Sequence, residues 1–109
     1  MKLLKCIIRP EKLDEVVAEL ESMIPGMTVS EVKGHGHQKG HPMVYRGLEY
    51  DAPLLLKVMI EIVADDNKVD DIVNRLIEAA RTGEIGDGRI FILPVEENYH
   101  VRTGFMELD

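Results

Sequence analysis

The amino-acid sequence predicts an α+β fold in which a strand–helix–strand unit occurs twice. Three observations support it. The chain has 109 residues, which suits one core and a single domain over 1–109. Its residues are 45% hydrophobic but only 5% aromatic, so the core is expected to be aliphatic. Two segments with apolar residues at helical spacing each follow an apolar segment typical of a strand.

The first half contains a strand, a helix and a second strand. Residues 2–9 read as a buried strand, and Pro10 then occupies a first helical turn, where its missing N–H is not needed. The helix is expected to end near Met23, before Pro25-Gly26. Its apolar face comprises Leu13, Val16, Val17 and Leu20. Alternation over residues 27–33 predicts the second strand.

The second half repeats this order. Residues 57–63 form a β-branched strand, after which Asp65 or Asp66 is expected to cap a helix. Its apolar face comprises Val69, Ile72, Val73, Leu76, Ile77 and Ala80, and Arg81-Thr82-Gly83 supplies a basic last turn and a glycine stop. A closing strand covers 89–95. The order strand, helix, strand, strand, helix, strand predicts a ferredoxin-like arrangement.

Charge and composition exclude several classes of function. The net charge of −7 argues against direct binding to nucleic acid, which draws affinity from many basic residues. The one cysteine, Cys6, lies in an apolar strand and is expected to be a buried, inert thiol. No apolar run is long enough for a membrane span or a signal peptide. A cytoplasmic location is therefore expected.

Two glycine clusters and a long connection are the unusual features. The clusters cover residues 34–40 and 83–88, beside Lys39 and Arg89. Glycines that expose backbone N–H groups near a cation can hold phosphates, although ordinary tight turns explain them equally simply. The connection between the second and third strands, about 37–55, is far longer than compact domains normally use, which favours a mobile regulatory loop.

The order of these segments resembles the PII signal-transduction proteins over residues 1 to about 104. The resembling segments are Ile7-Ile8-Arg9-Pro10, Gly26-Met27-Thr28-Val29, Glu31-Val32-Lys33-Gly34, Gln38-Lys39-Gly40-His41, Tyr45-Arg46-Gly47, Glu49-Tyr50, Ile60-Glu61-Ile62-Val63, Arg81-Thr82-Gly83, Ile85-Gly86-Asp87-Gly88-Arg89, Pro94-Val95-Glu96 and Arg102-Thr103-Gly104.

The resemblance implies a homotrimer that binds ATP or ADP in clefts between subunits and is a regulator, not an enzyme. The nucleotide-binding residues it implies are Ile7, Thr28, Gly34, Gly36, His37, Gln38, Glu61, Val63, Gly86, Asp87, Gly88, Arg89 and, from the adjacent subunit, Arg102. It also implies 2-oxoglutarate binding by Gln38, Lys39, Gly40 and Lys57, with Gln38 and the ATP phosphates completing a magnesium site. One ligand then changes the affinity for the other.

The resemblance further implies what the loop and the tail do. The loop docks on an ammonium channel, a nitrogen-metabolism enzyme or a regulatory kinase, and the tail over about 97–109 contributes to the neighbouring site. Tyr50 stands where some bacterial relatives carry a nucleotidyl group, and it equally suits an unmodified partner contact.

Histidines mark where the chain departs from the family pattern. His37 replaces an arginine that would clamp phosphate, and His100 replaces the first arginine of the tail pair. His35 and Leu56 replace a bulky residue and a proline. Because His35, His37 and His41 are close in sequence, a metal-responsive trimer that serves a metal transport system is the alternative function. Slow ATP hydrolysis is a third, with no carboxylate obviously placed to activate water.

Overall fold

A four-stranded antiparallel sheet with two helices on one face forms the centre of the structure. The computed structural model describes residues 1–35, 43–45, 48–50 and 54–106. Over those ranges the elements are β1 (Lys2–Ile8), α1 (Leu13–Leu20), β2 (Thr28–Gly34), β3 (Met43–Tyr45), β4 (Leu48–Tyr50), β5 (Leu55–Ala64), α2 (Val69–Ala80) and β6 (Gly88–Pro94). Short 3-10 turns at Pro10–Lys12 and Asp66–Lys68 lead into the two helices.

The strand order confirms the expected fold. The sheet order is β2-β5-β1-β6, and each neighbouring pair is antiparallel. Each helix connects two strands that follow one another along the chain but are not neighbours in the sheet, which gives the ferredoxin-like α+β arrangement. The register pairs Cys6 with Ile60 on one side and with Ile90 on the other.

The core lies between the sheet and the helices. Alternate residues of the central strands are buried, as the two-residue period of a strand requires: Leu4, Cys6 and Ile8 from β1, and Val58, Ile60, Ile62 and Ala64 from β5. The helices contribute Val16 and Leu20 from α1, and Val69, Ile72, Leu76 and Ala80 from α2. The expected buried thiol is confirmed, and burial raises the pKa of Cys6 to about 12.

No helix packs against the opposite face of the sheet in the part of the chain that the structure describes. The register places Lys5, Glu61 and Thr28 in one row across it. Apolar side chains share this face, among them Val63, Phe91 and Leu93, and each is more than a third exposed. Lys5 and Glu61 form an ion pair there at 3.9 Å.

The ends of the helices differ from the sequence predictions. α1 begins after a 3-10 turn closed by the bond from Lys12 N–H to the Arg9 carbonyl, and it ends at Leu20 instead of near Met23. Neither aspartate caps α2: Asp65 makes no side-chain capping bond, and Asp66 instead accepts from the Met1 amine at 2.6 Å. Arg81 is extended and lies beyond α2, so the predicted basic last turn is wrong.

The long connection contains regular structure that the sequence did not reveal. Strands β3 and β4 pair antiparallel, with Val44 opposite Glu49. β5 also starts earlier than expected, because Leu55 pairs with Gly34 and Leu56 with Lys33. The leucines at 54–56 show no alternation of apolar and polar residues, so the sequence does not predict a strand there, and the strand is recognised only from its pairing with β2.

No helix within these described ranges is both long enough and apolar enough to cross a membrane.

Candidate functional site

The loop of residues 82–88, between α2 and β6, carries the second glycine cluster. The chain leaves α2 at Arg81, whose backbone is extended. Gly83, Gly86 and Gly88 have φ angles of 92°, 103° and 114°, a region that side chains disfavour and glycine adopts readily. The glycines therefore make this short connection possible.

The carboxylate of Asp87 organises the 82–88 loop. It accepts a hydrogen bond from the Thr82 hydroxyl, from Thr82 N–H at 2.8 Å and from Gly83 N–H at 2.9 Å. The Thr82 hydroxyl is the main cause that lowers the pKa of Asp87; desolvation opposes it, while Arg9 and both backbone N–H groups lower it further. The resemblance implies that Asp87 belongs to the nucleotide site, and in the structure its carboxylate binds Thr82, Gly83 and Arg9.

Arg9 joins this loop to the end of β1. Its Nε donates to Asp87 Oδ1 at 3.0 Å, and its Nη2 donates to the Ile85 carbonyl at 2.9 Å. Pro10 restricts the preceding residue to extended backbone, and Arg9 accordingly has φ −66° and ψ 138°. The side chains of the ion pair are only 12% and 23% exposed for Arg9 and Asp87 respectively, so solvent screens it less than a surface pair.

Lys57 lies between Gly34, the first residue of one glycine cluster, and the 82–88 loop. It is a buried charged residue of β5, and its Nζ donates to the Gly86 carbonyl at 2.8 Å. A Cβ added to Gly34, the first residue of the other cluster, would lie 3.5 Å from Lys57 Cγ. Desolvation lowers the pKa of Lys57, and the nearby positive charge of Arg9 lowers it further.

Gly88 fixes the point where the loop enters the sheet. It pairs with Ile8 across the ladder, and a Cβ added to it would lie 1.7 Å from the Ile7 carbonyl oxygen. Together with its φ of 114°, this contact leaves room for glycine alone. The next residue of β6, Arg89, pairs with Ile7 and lies beside the loop.

A pocket of about 350 Å³ lies between β6 and α2, next to the loop. Its size falls within the usual range for small-molecule sites. It brings together four of the predicted nucleotide-binding residues, which are Ile7, Asp87, Gly88 and Arg89. The rest of its lining is mostly apolar, from Ile8, Val73, Leu76, Ile77, Ala80, Arg81, Ile90 and Ile92.

Three other predicted residues lie away from this pocket. Thr28 pairs with Glu61 between β2 and β5, and Val63 lies two residues further along the same face of β5. Because β2 and β6 are the two edges of the sheet, three strand spacings, about 14 Å, separate Thr28 from the β6 side. One chain therefore does not bring all the predicted nucleotide-binding residues together.

Arg102 lies in a turn of the C-terminal segment. Tyr99 and Met106 form an isolated bridge, and His100 exchanges backbone bonds with Phe105 and Gly104. Arg102 is exposed in the turn between them. The segment starts near the beginning of β1, where Val95 N–H donates to the Met1 carbonyl.

Several predicted site residues lie outside the described residues: Gly36, His37, Gln38, Lys39, Gly40 and His41. The backbone of Tyr50 belongs to β4. His35 is exposed, and the described ranges contain no group of three or more His, Cys, Asp or Glu residues suited to a metal ion.

Sequence reasoning missed the roles of Arg9 and Thr82. Both belong to segments on which the family resemblance depends, Ile7-Ile8-Arg9-Pro10 and Arg81-Thr82-Gly83, but neither was given a function. Arg9 and Asp87 are 78 residues apart, so only the fold shows that they meet.

The comparisons with known proteins cover almost the whole chain. The family model described as nitrogen regulatory protein P-II matches residues 1–105. Three relatives named nitrogen regulatory protein P-II align over 105 residues, which is 95% of this chain and 94% of theirs. Identity is 58% to the protein of Nostoc punctiforme, 56% to that of a Synechocystis species and 50% to that of Azospirillum brasilense. The chain belongs to the nitrogen regulatory protein P-II family.

Proposed function

We propose that this chain is a signal-transduction protein that binds ATP or ADP, together with 2-oxoglutarate and Mg²⁺, and regulates proteins of nitrogen metabolism. The observation that carries the proposal is the position of Lys57, whose Nζ donates to the Gly86 carbonyl and whose Cγ lies 3.5 Å from the place that a Cβ on Gly34 would take. Backbone amides and cations gathered in one place are suited to phosphates. The partner contact is assigned to the segment of about 37–55, on an ammonium channel, an enzyme or a regulatory kinase.

The charges around the 82–88 loop support an anionic ligand. Arg9, Lys57 and Arg89 lie at this end of the sheet, although the chain as a whole carries a net charge of −7. The acidic residues here are Asp87 and Glu84 of the loop and Glu11, which raises the pKa of Lys57, but the hydrogen bonds of Asp87 to the loop and to Arg9 engage its charge. A triphosphate or diphosphate would find positive charge and glycine backbone together here.

The separation of the predicted residues supports a site shared between subunits. Thr28, Glu61 and Val63 lie toward one edge of the sheet, while Arg89 lies on the other edge strand. A second copy can place its β2 side next to β6 of the first copy, and closed symmetry is the usual outcome of such contacts. We assign Arg102 of the exposed C-terminal turn to the same shared cleft.

The uncovered face of the sheet supports a trimer. It combines Val63, Phe91 and Leu93, which are 37%, 47% and 41% exposed, with the Lys5–Glu61 ion pair. Exposed apolar faces of this kind mark protein–protein contacts. Three copies that turn this face inward would bury it.

The 2-oxoglutarate site is assigned to Gln38, Lys39, Gly40 and Lys57. Lys57 is the described member of this set, and it already lies beside the glycine carbonyl of the 82–88 loop. An amide oxygen from Gln38, phosphate oxygens and the keto acid would supply the oxygen ligands that Mg²⁺ prefers. Shared coordination makes the binding of 2-oxoglutarate depend on ATP.

A calorimetric titration tests this function. We expect 2-oxoglutarate to release heat when it is added to the protein with ATP and Mg²⁺, and none when either is omitted. Because coupling is reciprocal, saturating 2-oxoglutarate should tighten ATP binding by the same factor. Gln38→Ala should abolish the coupling but retain ADP binding.

Other outcomes of the titration point elsewhere. ADP and ATP binding with no response to 2-oxoglutarate would limit the function to sensing adenine nucleotides, and no binding of any of these ligands would contradict the proposal. Among the described residues nothing favours the metal-responsive alternative. Heat released when Zn²⁺ is titrated into the protein, and absent when Zn²⁺ is titrated into His35→Ala, would support the metal-responsive function.

A further inference from the structure

The bonds made by Arg9 and Lys57 determine which way the backbone of the 82–88 loop points. The Ile85 carbonyl accepts from Arg9, and the next carbonyl, that of Gly86, accepts from Lys57. Described peptide bonds are all trans, and in a trans peptide the N–H points opposite to the carbonyl of the preceding residue. The N–H groups of Gly86 and Asp87 therefore point away from the two cations.

These two N–H groups are available to a ligand. Within the described ranges, neither Gly86 N–H nor Asp87 N–H donates to an acceptor, whereas the neighbouring Thr82 and Gly83 N–H groups bind Asp87. Successive backbone N–H groups that point the same way form an anion-binding concavity. Gly86, with φ 103°, provides the left-handed turn that such a concavity needs.

Arg9 is the connection on which this arrangement depends most. Its guanidinium donates to two acceptors, the Asp87 carboxylate and the Ile85 carbonyl. The Asp87 carboxylate also binds the N–H groups of Thr82 and Gly83 at the start of the loop, and Ile85 lies at its middle. An arginine has a planar set of donors and can serve both acceptors, while a lysine ammonium has no such fixed geometry. The Nε and Nη2 atoms of Arg9 donate in these bonds, so through them Arg9 acts on a phosphate by way of the loop.

We propose that Arg9 is a positioning residue that holds the 82–88 loop, through Asp87 and the Ile85 carbonyl, in the conformation that receives the nucleotide phosphates. This rests on the proposed nucleotide binding. The loop is then preorganised, which lowers the entropy cost of ordering it when the nucleotide binds. Removing Arg9 should therefore disorder the loop before any ligand is present.

Two measurements on the whole protein test this role. Amide hydrogen exchange without nucleotide reports on loop order at Thr82 and Gly83, and ADP titration reports on binding. We expect Arg9→Met to accelerate exchange of both amides about tenfold and to weaken ADP binding about tenfold, since charged hydrogen bonds are lost. Arg9→Lys should show the same changes in weaker form. Combining Arg9→Met with Asp87→Asn should weaken ADP binding no more than the stronger single change, because both break one network.

A matched control removes a similar bond elsewhere. Arg75 Nε also donates to an aspartate, Asp71, at 3.1 Å, but on the exposed side of α2. Arg75→Met should leave both the exchange rates and ADP binding unchanged.

Three results would overturn the proposal. Weaker ADP binding in Arg9→Met with unchanged exchange would show direct contact with the nucleotide, and unchanged exchange and binding would show that Arg9 has no role. Additive effects in the double variant would show that Arg9 and Asp87 act separately. If the unaltered protein binds no ADP, the proposed function fails, and the exchange measurement alone then decides whether Arg9 orders the loop.

Discussion

At the scale of single residues, Gly88 is the position where the backbone conformation is most constrained. Its φ is 114°, and an added Cβ would lie 1.7 Å from the Ile7 carbonyl oxygen. Gly88→Ala should therefore lower the free energy of unfolding by about 2 kcal/mol or more, through strain and displacement of β6. Chemical denaturation measures this directly.

Gly104 provides the control for that substitution. Its φ is 73°, but nothing lies within 4 Å of the position of an added Cβ. Gly104→Ala should cost only the backbone strain at φ 73°, so the difference between the two variants measures the clash at Gly88 together with the larger strain at φ 114°. Equal losses would show that β6 can shift away from Ile7 at little cost.

Asp87 should make stability depend on pH in the acidic range. The pKa of Asp87 is lower in the folded chain than in the unfolded chain, where it is about 4. The stabilisation of the fold by ionised Asp87 is therefore fully present above the unfolded pKa and is lost as the pH falls through the lower folded pKa. The difference in unfolding free energy between the unaltered protein and Asp87→Asn should therefore shrink between about pH 5 and pH 2. A difference that stays constant over this range would contradict the role of the charge.

Sequence reasoning found the residues of the 82–88 loop but not the bonds between them. The spacing of Gly83, Gly86 and Gly88 indicated a special backbone, and the structure confirms positive φ angles at all three. The family resemblance assigned Asp87 to the nucleotide site, and a sequence does not show that Arg9, Thr82 and Gly83 also bind its carboxylate.

At the scale of elements, α2 shows how a helix is held by one face. Leu76 is 1% exposed, and it packs in the core with residues of β1 and β5. Leu76→Ala should lower the free energy of unfolding by about 2–5 kcal/mol, because it leaves a cavity as well as removing apolar contact. Glu78→Ala, on the exposed side of the same helix, should change it by less than about 0.5 kcal/mol. Similar effects of both changes in thermal or denaturant unfolding would contradict the packing described here.

The elements were predictable from periodicity, while their ends were not. Every predicted helix and strand is present. The apolar residues that recur every 3.6 residues in α1 and α2, and every two residues in β1 and β5, are the ones that the fold buries. The capping role expected of Asp65 or Asp66 failed, since Asp66 binds the Met1 amine 65 residues away. Likewise, β3 and β4 are strands because they pair with each other, and a segment of three residues is too short to show a strand pattern in the sequence.

At the scale of the whole molecule, the uncovered sheet face predicts the oligomer. Light scattering should give a mass three times the 12.3 kDa of one chain. Phe91→Asp places a charge on that face and should yield monomers that keep their circular dichroism spectrum. A monomer mass for the unaltered protein would contradict the trimer.

Calorimetric titration of ADP and ATP into the purified protein tests nucleotide binding directly. We predict saturable binding of one nucleotide per chain. Arg89→Ala should weaken both nucleotides by about 1.5–3 kcal/mol, and Arg75→Ala should weaken neither. Absence of heat, together with an unchanged melting temperature at millimolar nucleotide, would contradict nucleotide binding at the 82–88 loop.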